Sequence, residues 1–238
     1  MGDIIARVRA DLEKERDEAV QASARRFFKE AVRLRGVKTP VVNRIARESF
    51  KLLRQRSKPE IFDLCEALWK SGYLEEAVIA ANWAYALRKL YEPRDFEFFE
   101  RWVHHYVSNW AACDTLCNHT VGAFLEKFPG HVPRLETWAR SGNLWVRRAA
   151  AVSLIVPARR GLFLQEILDL ADILLEDAED LVRKGYGWML KAASEAHPQE
   201  VFAFVCARRE TMPRTALRYA IEKMPPQMRA QAMVRGPA

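Results

Sequence analysis

Cysteine is scarce in this chain, four in 238 residues, and Cys65, Cys113, Cys117 and Cys206 fit no recognised disulfide or metal spacing. A disulfide-stapled fold is therefore excluded, and the thiols are expected to be reduced and packed as small apolar groups. No apolar run approaches the roughly 18 residues that a membrane span requires. The opening stretch MGDIIARVRADLEKERDEAV is charged and helix-patterned, unlike a signal or transit peptide. A cytoplasmic chain with no membrane partner is the expectation. There is no glycine-rich phosphate loop, no G-x-S-x-G and no H-E-x-x-H, so the common nucleotide, serine-hydrolase and zinc-protease chemistries have no foothold. His104, His105, Cys113, Cys117 and His119 lie close in sequence, yet in no zinc spacing. Neither a metal nor a cofactor is expected. Strand-like alternation is missing as well.

What is present is helix. Apolar residues recur at i, i+3, i+4 and i+7, as in Ile61, Leu64, Cys65, Leu68 and Trp69 or Leu164, Ile167, Leu168, Leu170 and Ala171. Breaks come about every fifteen residues, among them Gly36–Pro40, Ser57–Pro59, Ser71-Gly72, Pro157–Gly161 and Pro225-Pro226. Thr39-Pro40 and Lys58-Pro59 look like helix starts. Small residues at Ala77, Cys113, Ala149 and Gly185 are spaced by 36, 36 and 36, and Ala216 follows 31 later. Helix pairs repeated at that interval bury their apolar faces only by stacking on their neighbours. The tetratricopeptide pattern is missing. The expected fold is an all-α, HEAT-like repeat solenoid, with residues 1–238 as one domain.

Charge is uneven. The net charge is +7, with a pI near 9.4. Residues 1–60 hold 16 basic and 9 acidic side chains, 61–133 hold 6 and 10, and 134–238 hold 16 and 12. Two basic ends around an acidic middle suit a polyanion, although an ordinary basic surface would give the same totals. Position decides between them. The two residues before each repeated small residue are Glu75-Glu76, Ala111-Ala112, Arg147-Arg148, Arg183-Lys184 and Arg214-Thr215. Three successive C-terminal repeats thus carry a cation in one phase, which predicts a track for a nucleic acid.

The repeat lacking those cations reads Trp110-Ala111-Ala112-Cys113-Asp114, with Trp110 and Asp114 one helical turn apart. Asp114 admits two readings, a functional carboxylate or an N-terminal charge that complements its helix dipole. Further on, Lys184, Trp188 and Lys191 form an i, i+4, i+7 stripe. An indole on a cationic stripe suits a surface that meets phosphates and bases. Trp69, Trp83, Trp102 and Trp138 read as core.

The stretch SNWAACDTLCNHTVG (108–122) resembles the segment bearing the catalytic aspartate in AlkD-type DNA glycosylases, which excise positively charged alkylated purines. NLWVRRAA (143–150) and KGYGWMLK (184–191) resemble the next two functional segments of that family, in order and in register. Weaker similarity in RLRGVKTP (33–40) and ALWKSGYLEEAVIAA (67–81) extends it over most of the chain. The resemblance implies a catalytic role for Asp114, lesion-lining roles for Trp110 and Trp188, and a backbone-binding role for Arg148. Lys191 stands where the family's best-known members have arginine, Asn109 where they have a further tryptophan and Ala111 where they have an acid. The phased cations Arg147, Arg183, Lys184 and Arg214 join Lys191 as expected DNA contacts.

One carboxylate suffices for this chemistry. Alkylation at N3 or N7 makes the purine a cationic leaving group that needs no protonation, unlike the two-carboxylate glycosidases. The expected partner is duplex DNA carrying alkylated bases, met by a monomer. Two rivals share the fold: a non-catalytic solenoid that binds damaged or branched DNA, and a protein-interaction scaffold.

Overall fold

A computed structural model describes residues 2–234. They are mainly helical. Among them there is no strand, only an isolated bridge between Arg33 and Tyr73. The chain clusters into two compact units, divided between Leu116 and Cys117.

The first unit contains α1 (Gly2–Lys14), α2 (Glu18–Arg25), α3 (Thr39–Lys51), α4 (Lys58–Trp69), α5 (Leu74–Ala86), α6 (Phe96–His105) and α7 (Trp110–Thr115). Local chemistry explains their starts. Asp17 caps α2, its Oδ1 accepting from the amides of Ala19 at 2.8 Å and Val20 at 3.1 Å. Pro40 and Pro59 sit in the first turns of α3 and α4, where a missing N–H costs nothing. The core is aromatic. Phe62, Phe99 and Trp102 meet edge-on at 5.7–5.8 Å, and the buried Trp83 donates its indole N–H to Ala46 O at 3.0 Å.

Two acids open α5 and are fully engaged inside this unit. The Glu75 carboxylate accepts from the amides of Arg35, Gly36 and Val37 at 2.8–3.3 Å. Glu76, with no exposed side-chain surface, bridges Arg9 at 3.1 Å and Arg35 at 2.6 Å. Gly36 adopts φ +86°, and a β-carbon there would lie 2.4 Å from the Asp17 carbonyl oxygen, so only glycine fits this crossing. The acidic half of the repeat pattern thus anchors the connection between α2 and α3.

The second unit contains α8 (Gly122–Lys127), α9 (Arg134–Ala139), α10 (Leu144–Val152), α11 (Ile155–Arg159), α12 (Leu164–Ile173), α13 (Asp180–Ala193), α14 (Pro198–Arg208), α15 (Arg214–Ala220) and α16 (Pro226–Met233). Helices α10, α13 and α15 pack side by side in that order. Ala149, Gly185 and Ala216, the small residues of the repeat, are all buried. The break expected at Pro157–Gly161 starts later than the pattern suggests. Pro157 lies within α11, in the first turn, where its missing N–H would have no helical acceptor. Cys113 and Cys117 are buried, as is Cys65, while Cys206 is partly exposed; none of the four is in a disulfide.

A tighter helix approach than that at Gly185 lies two residues beyond the repeat position. A β-carbon on Gly187 would sit 2.8 Å from Tyr219 Cβ and 2.9 Å from the Ala216 carbonyl oxygen, forcing α13 and α15 apart. At Gly185 it would meet Arg148 side-chain atoms at an ordinary 3.5 Å. Gly187→Ala should therefore lose about 1–3 kcal/mol through overpacking. Gly185→Ala should be neutral or better, since alanine favours a helix by about 1 kcal/mol. Urea midpoints of the two variants compare them directly; equal midpoints would refute this account of the helix contact.

Candidate functional site

Helix α7 carries Trp110 and Asp114 one turn apart, and both are half-buried rather than sealed in the core. Its start is fixed by Asn109, which is extended at φ −156° and accepts the Ala112 amide at 2.9 Å. Asn109 is itself buried. The residue that departs from the family's tryptophan is thus a helix cap, worth about 1 kcal/mol to the element that aims the aspartate. At the other end the Thr115 hydroxyl donates to Ala111 O at 2.8 Å, and the chain passes into a π-helical turn at Leu116–Val121. Such turns occur often at functional sites. Asp114 is the fifth residue of α7, beyond its first turn, so complementing the helix dipole does not account for it.

Trp110 is positioned from a second direction. Its ring stacks on Phe28 with centroids 5.3 Å apart and planes at 21°, and its indole N–H donates to Phe27 O at 3.3 Å. These rings line a groove of about 640 Å³ inside the first unit. Val20, Ala24, Leu74 and Ala111 give it an apolar floor, and Asp17, Lys38 and Thr39 give it a polar rim. The stacking partner on the turn after α2 has no signal in the helical repeat, because it comes from a connection.

The remaining expected site residues lie in the second unit. The phased cations stand on the adjacent helices α10, α13 and α15, but they differ in how open they are. Arg147, 17% exposed, grips Asp177 through its Nε at 2.6 Å and also donates to Ser141 O at 3.0 Å. Arg183 donates to the Asp177 carbonyl oxygen. Asp177, which the sequence pattern does not single out, therefore ties α10 to the start of α13. Arg148 is buried, donates to Leu181 O and lies against Gly185. Lys184 is 39% exposed, more open than Lys191 at 17%, and holds an i, i+4 pair to Asp180 at 2.8 Å. Trp188, one turn on, is half-buried. Lys191 reaches Glu222 at 3.0 Å and lies 5.8 Å from the centre of the Tyr219 ring. Arg214 donates weakly to Met233 O at 3.4 Å.

Among the described residues no group of three or more histidine, cysteine or acidic side chains could hold a metal ion. No described helix is long and apolar enough to cross a membrane.

This is an all-α helical repeat protein with a partly exposed carboxylate beside a stacked indole. Residues 8–224 match the family model described as DNA alkylation repair enzyme, and the chain belongs to that family. Membership gives it a role in DNA repair. The fold agrees: a solved structure described as a predicted DNA alkylation repair enzyme from Enterococcus faecalis superposes with a TM-score of 0.79. The two are 15% identical, over 89% of this chain and 98% of that one. No curated protein matches this chain in sequence.

Proposed function

We propose that the protein is a monofunctional DNA glycosylase that hydrolyses the N-glycosidic bond of cationic N3- or N7-alkylated purines, with residues 1–238 working as one HEAT-like repeat domain. The observation that carries this reading is the pairing on α7 of a half-buried Asp114 with Trp110 one turn away. The bond between the sugar C1′ and the purine nitrogen breaks with its electron pair going to the base, which neutralises the alkyl cation. Positive charge passes to the sugar ring. A carboxylate at Asp114 stabilises that oxocarbenium-like state and orients the water that adds to C1′. The water proton leaves to the carboxylate or to solvent, and an abasic sugar and a free base remain. Trp110 and Trp188 offer indole faces to the cationic base, each contact worth about 0.5–2 kcal/mol. No metal or cofactor takes part, and the protein acts as a monomer.

Arg147, Arg148, Arg183, Lys184, Lys191 and Arg214 are the proposed contacts to the DNA backbone. Because Lys184 is paired only with a neighbour on its own helix, Asp180, Lys184→Ala is the cleanest probe of them. It should weaken binding to all duplexes about equally and reduce the logarithmic salt slope by about 1. Fluorescence anisotropy across a salt series reads both; an unchanged slope would remove Lys184 from the interface. Arg148→Ala mixes loss of packing with loss of charge and is less informative.

The decisive experiment is base release from duplex DNA carrying N7-methylguanine or N3-methyladenine. One observation favours a binding-only solenoid instead: Asn109 caps a helix where the resembling family has a further tryptophan, which thins the aromatic enclosure. Salt-sensitive duplex binding without base release would establish that second reading.

A further inference from the structure

Helices α15 and α16 leave a groove between them. Of the inner helices, α13 packs on the one before it, α10, and on the outer helix of its own pair, α12. Helix α15 does the same with α13 and α14, and α16 then packs on α14. One more inner helix would lie against α15 and α16 together. The surface there is a trough of about 620 Å³ within the second unit. Arg218 and Ile221 line it from the end of α15, three residues apart. Pro226, Arg229, Ala230 and Met233 line it from α16 at i, i+3, i+4 and i+7, one face of that helix.

The floor of the trough is apolar. Ile221 is buried, Met233 is half-buried and Ala230 is open to solvent. Its surroundings are cationic. Arg218, Lys223 and Arg229 are exposed, and among the described residues they make no ion pair. The acid beside them, Glu222, is held by Lys191 at 3.0 Å. A fourth cation is poorly satisfied. The Arg214 guanidinium reaches Met233 O at only 3.4 Å, and its Nη1 is buried with no hydrogen-bond partner among the described residues. A buried nitrogen of that kind favours an acceptor brought to it.

A trough between two helices, apolar below and cationic at its edges, matches an amphipathic helix with acidic flanks. A duplex matches it less well, because phosphates are met by cations that stand out from a surface rather than by an apolar channel between them. We infer that the groove between α15 and α16 docks an acidic amphipathic helix of a partner protein. The apolar stripe of that helix covers Ile221, Ala230 and Met233, and its carboxylates meet Arg218 and Arg229. The inference depends on neither the DNA contacts nor the glycosylase chemistry proposed above.

The test uses the full chain and a fluorescein-labelled peptide of about five helical turns, roughly 18 residues. Leucines stand at i, i+3, i+4 and i+7 along it, with glutamates on its other faces. Anisotropy should show saturable binding to the wild type and much weaker binding of a scrambled peptide of the same composition. Replacing Arg218 and Arg229 together by glutamate should weaken binding by about tenfold or more, as like charges then face each other. The same change at Arg54, an exposed arginine of the first unit, should leave it within about twofold, since no contact is lost there. Ala230→Arg is the sharpest variant, because it adds an attractive charge while filling the trough. A docking groove predicts weaker binding, and attraction by charge alone predicts tighter binding. All the substituted residues are exposed, so thermal unfolding should match the wild type. Equal binding of the scrambled peptide, undiminished binding by Ala230→Arg, or no binding by the wild type would overturn the inference. Two further results would reassign the groove and overturn it as well. One is self-association of the wild type in sedimentation that Ala230→Arg abolishes, which makes a second copy the occupant. The other is a loss of duplex affinity in Ala230→Arg as large as its loss of peptide, which makes the occupant DNA.

Discussion

Asp114→Asn is expected to lose base release by about a hundredfold to a thousandfold, the usual effect of removing one preorganised charge from a reacting centre. Duplex affinity should change little. The substitution keeps the shape and the planar polar end of the side chain but removes its negative charge. Only the charge can stabilise a developing oxocarbenium ion or draw a proton from water. Phosphate binding draws on cations elsewhere, and loss of an acid does not weaken them. Helix α7 should survive, because its cap is Asn109 and its end is braced by the Thr115 hydroxyl, neither of which uses Asp114. Single-turnover release of N7-methylguanine, read beside anisotropy on the same duplex, gives both quantities. Equal release by mutant and wild type would remove Asp114 from the chemistry.

Much of this architecture is legible in the sequence because helix formation and stacking are local and periodic. Pro40, Pro59, Pro198 and Pro226 each stand in the first turn of a helix. Trp69, Trp83, Trp102 and Trp138 are buried as the apolar pattern requires. The residues spaced by 36 fall on inner, buried positions of α5, α7, α10 and α13. What escapes is set by partners far apart in the chain. Gly187 matters more than Gly185 because of how α15 lies on α13, which no spacing within α13 records. Asp177 takes up Arg147 from 30 residues away, and two cations alike in phase, the buried Arg148 and the more open Lys184, differ in what they hold. Asn109 reads as a lost aromatic in a comparison of sequences and as a cap in the fold. The Trp110 side of the site is half legible for the same reason: the turn after α2 supplies its stacking partner from 82 positions upstream.

Glu76→Ala should destabilise the fold more than Asp114→Asn, Lys184→Ala or Gly187→Ala. Its carboxylate is entirely enclosed and bridges Arg9 from α1 and Arg35 from the connection between α2 and α3. Removing it leaves the Arg35 guanidinium largely enclosed, with Glu13 at 3.4 Å as its remaining acidic partner. An arginine cannot shed its charge to escape that burial. The expected loss is about 3 kcal/mol or more, in the range for breaking one side of a buried pair. Arg9→Ala should cost far less, because Arg9 is substantially exposed and Glu76 keeps its shorter bond to Arg35. Urea denaturation of the two variants side by side tests the asymmetry. Replacing Glu76 and Arg35 together, by leucine and methionine, should recover part of the loss, since no unpaired charge then remains inside. If Glu76→Ala and Arg9→Ala unfold at the same midpoint, the enclosed carboxylate is not what holds α1 and the segment around Arg35 to the start of α5.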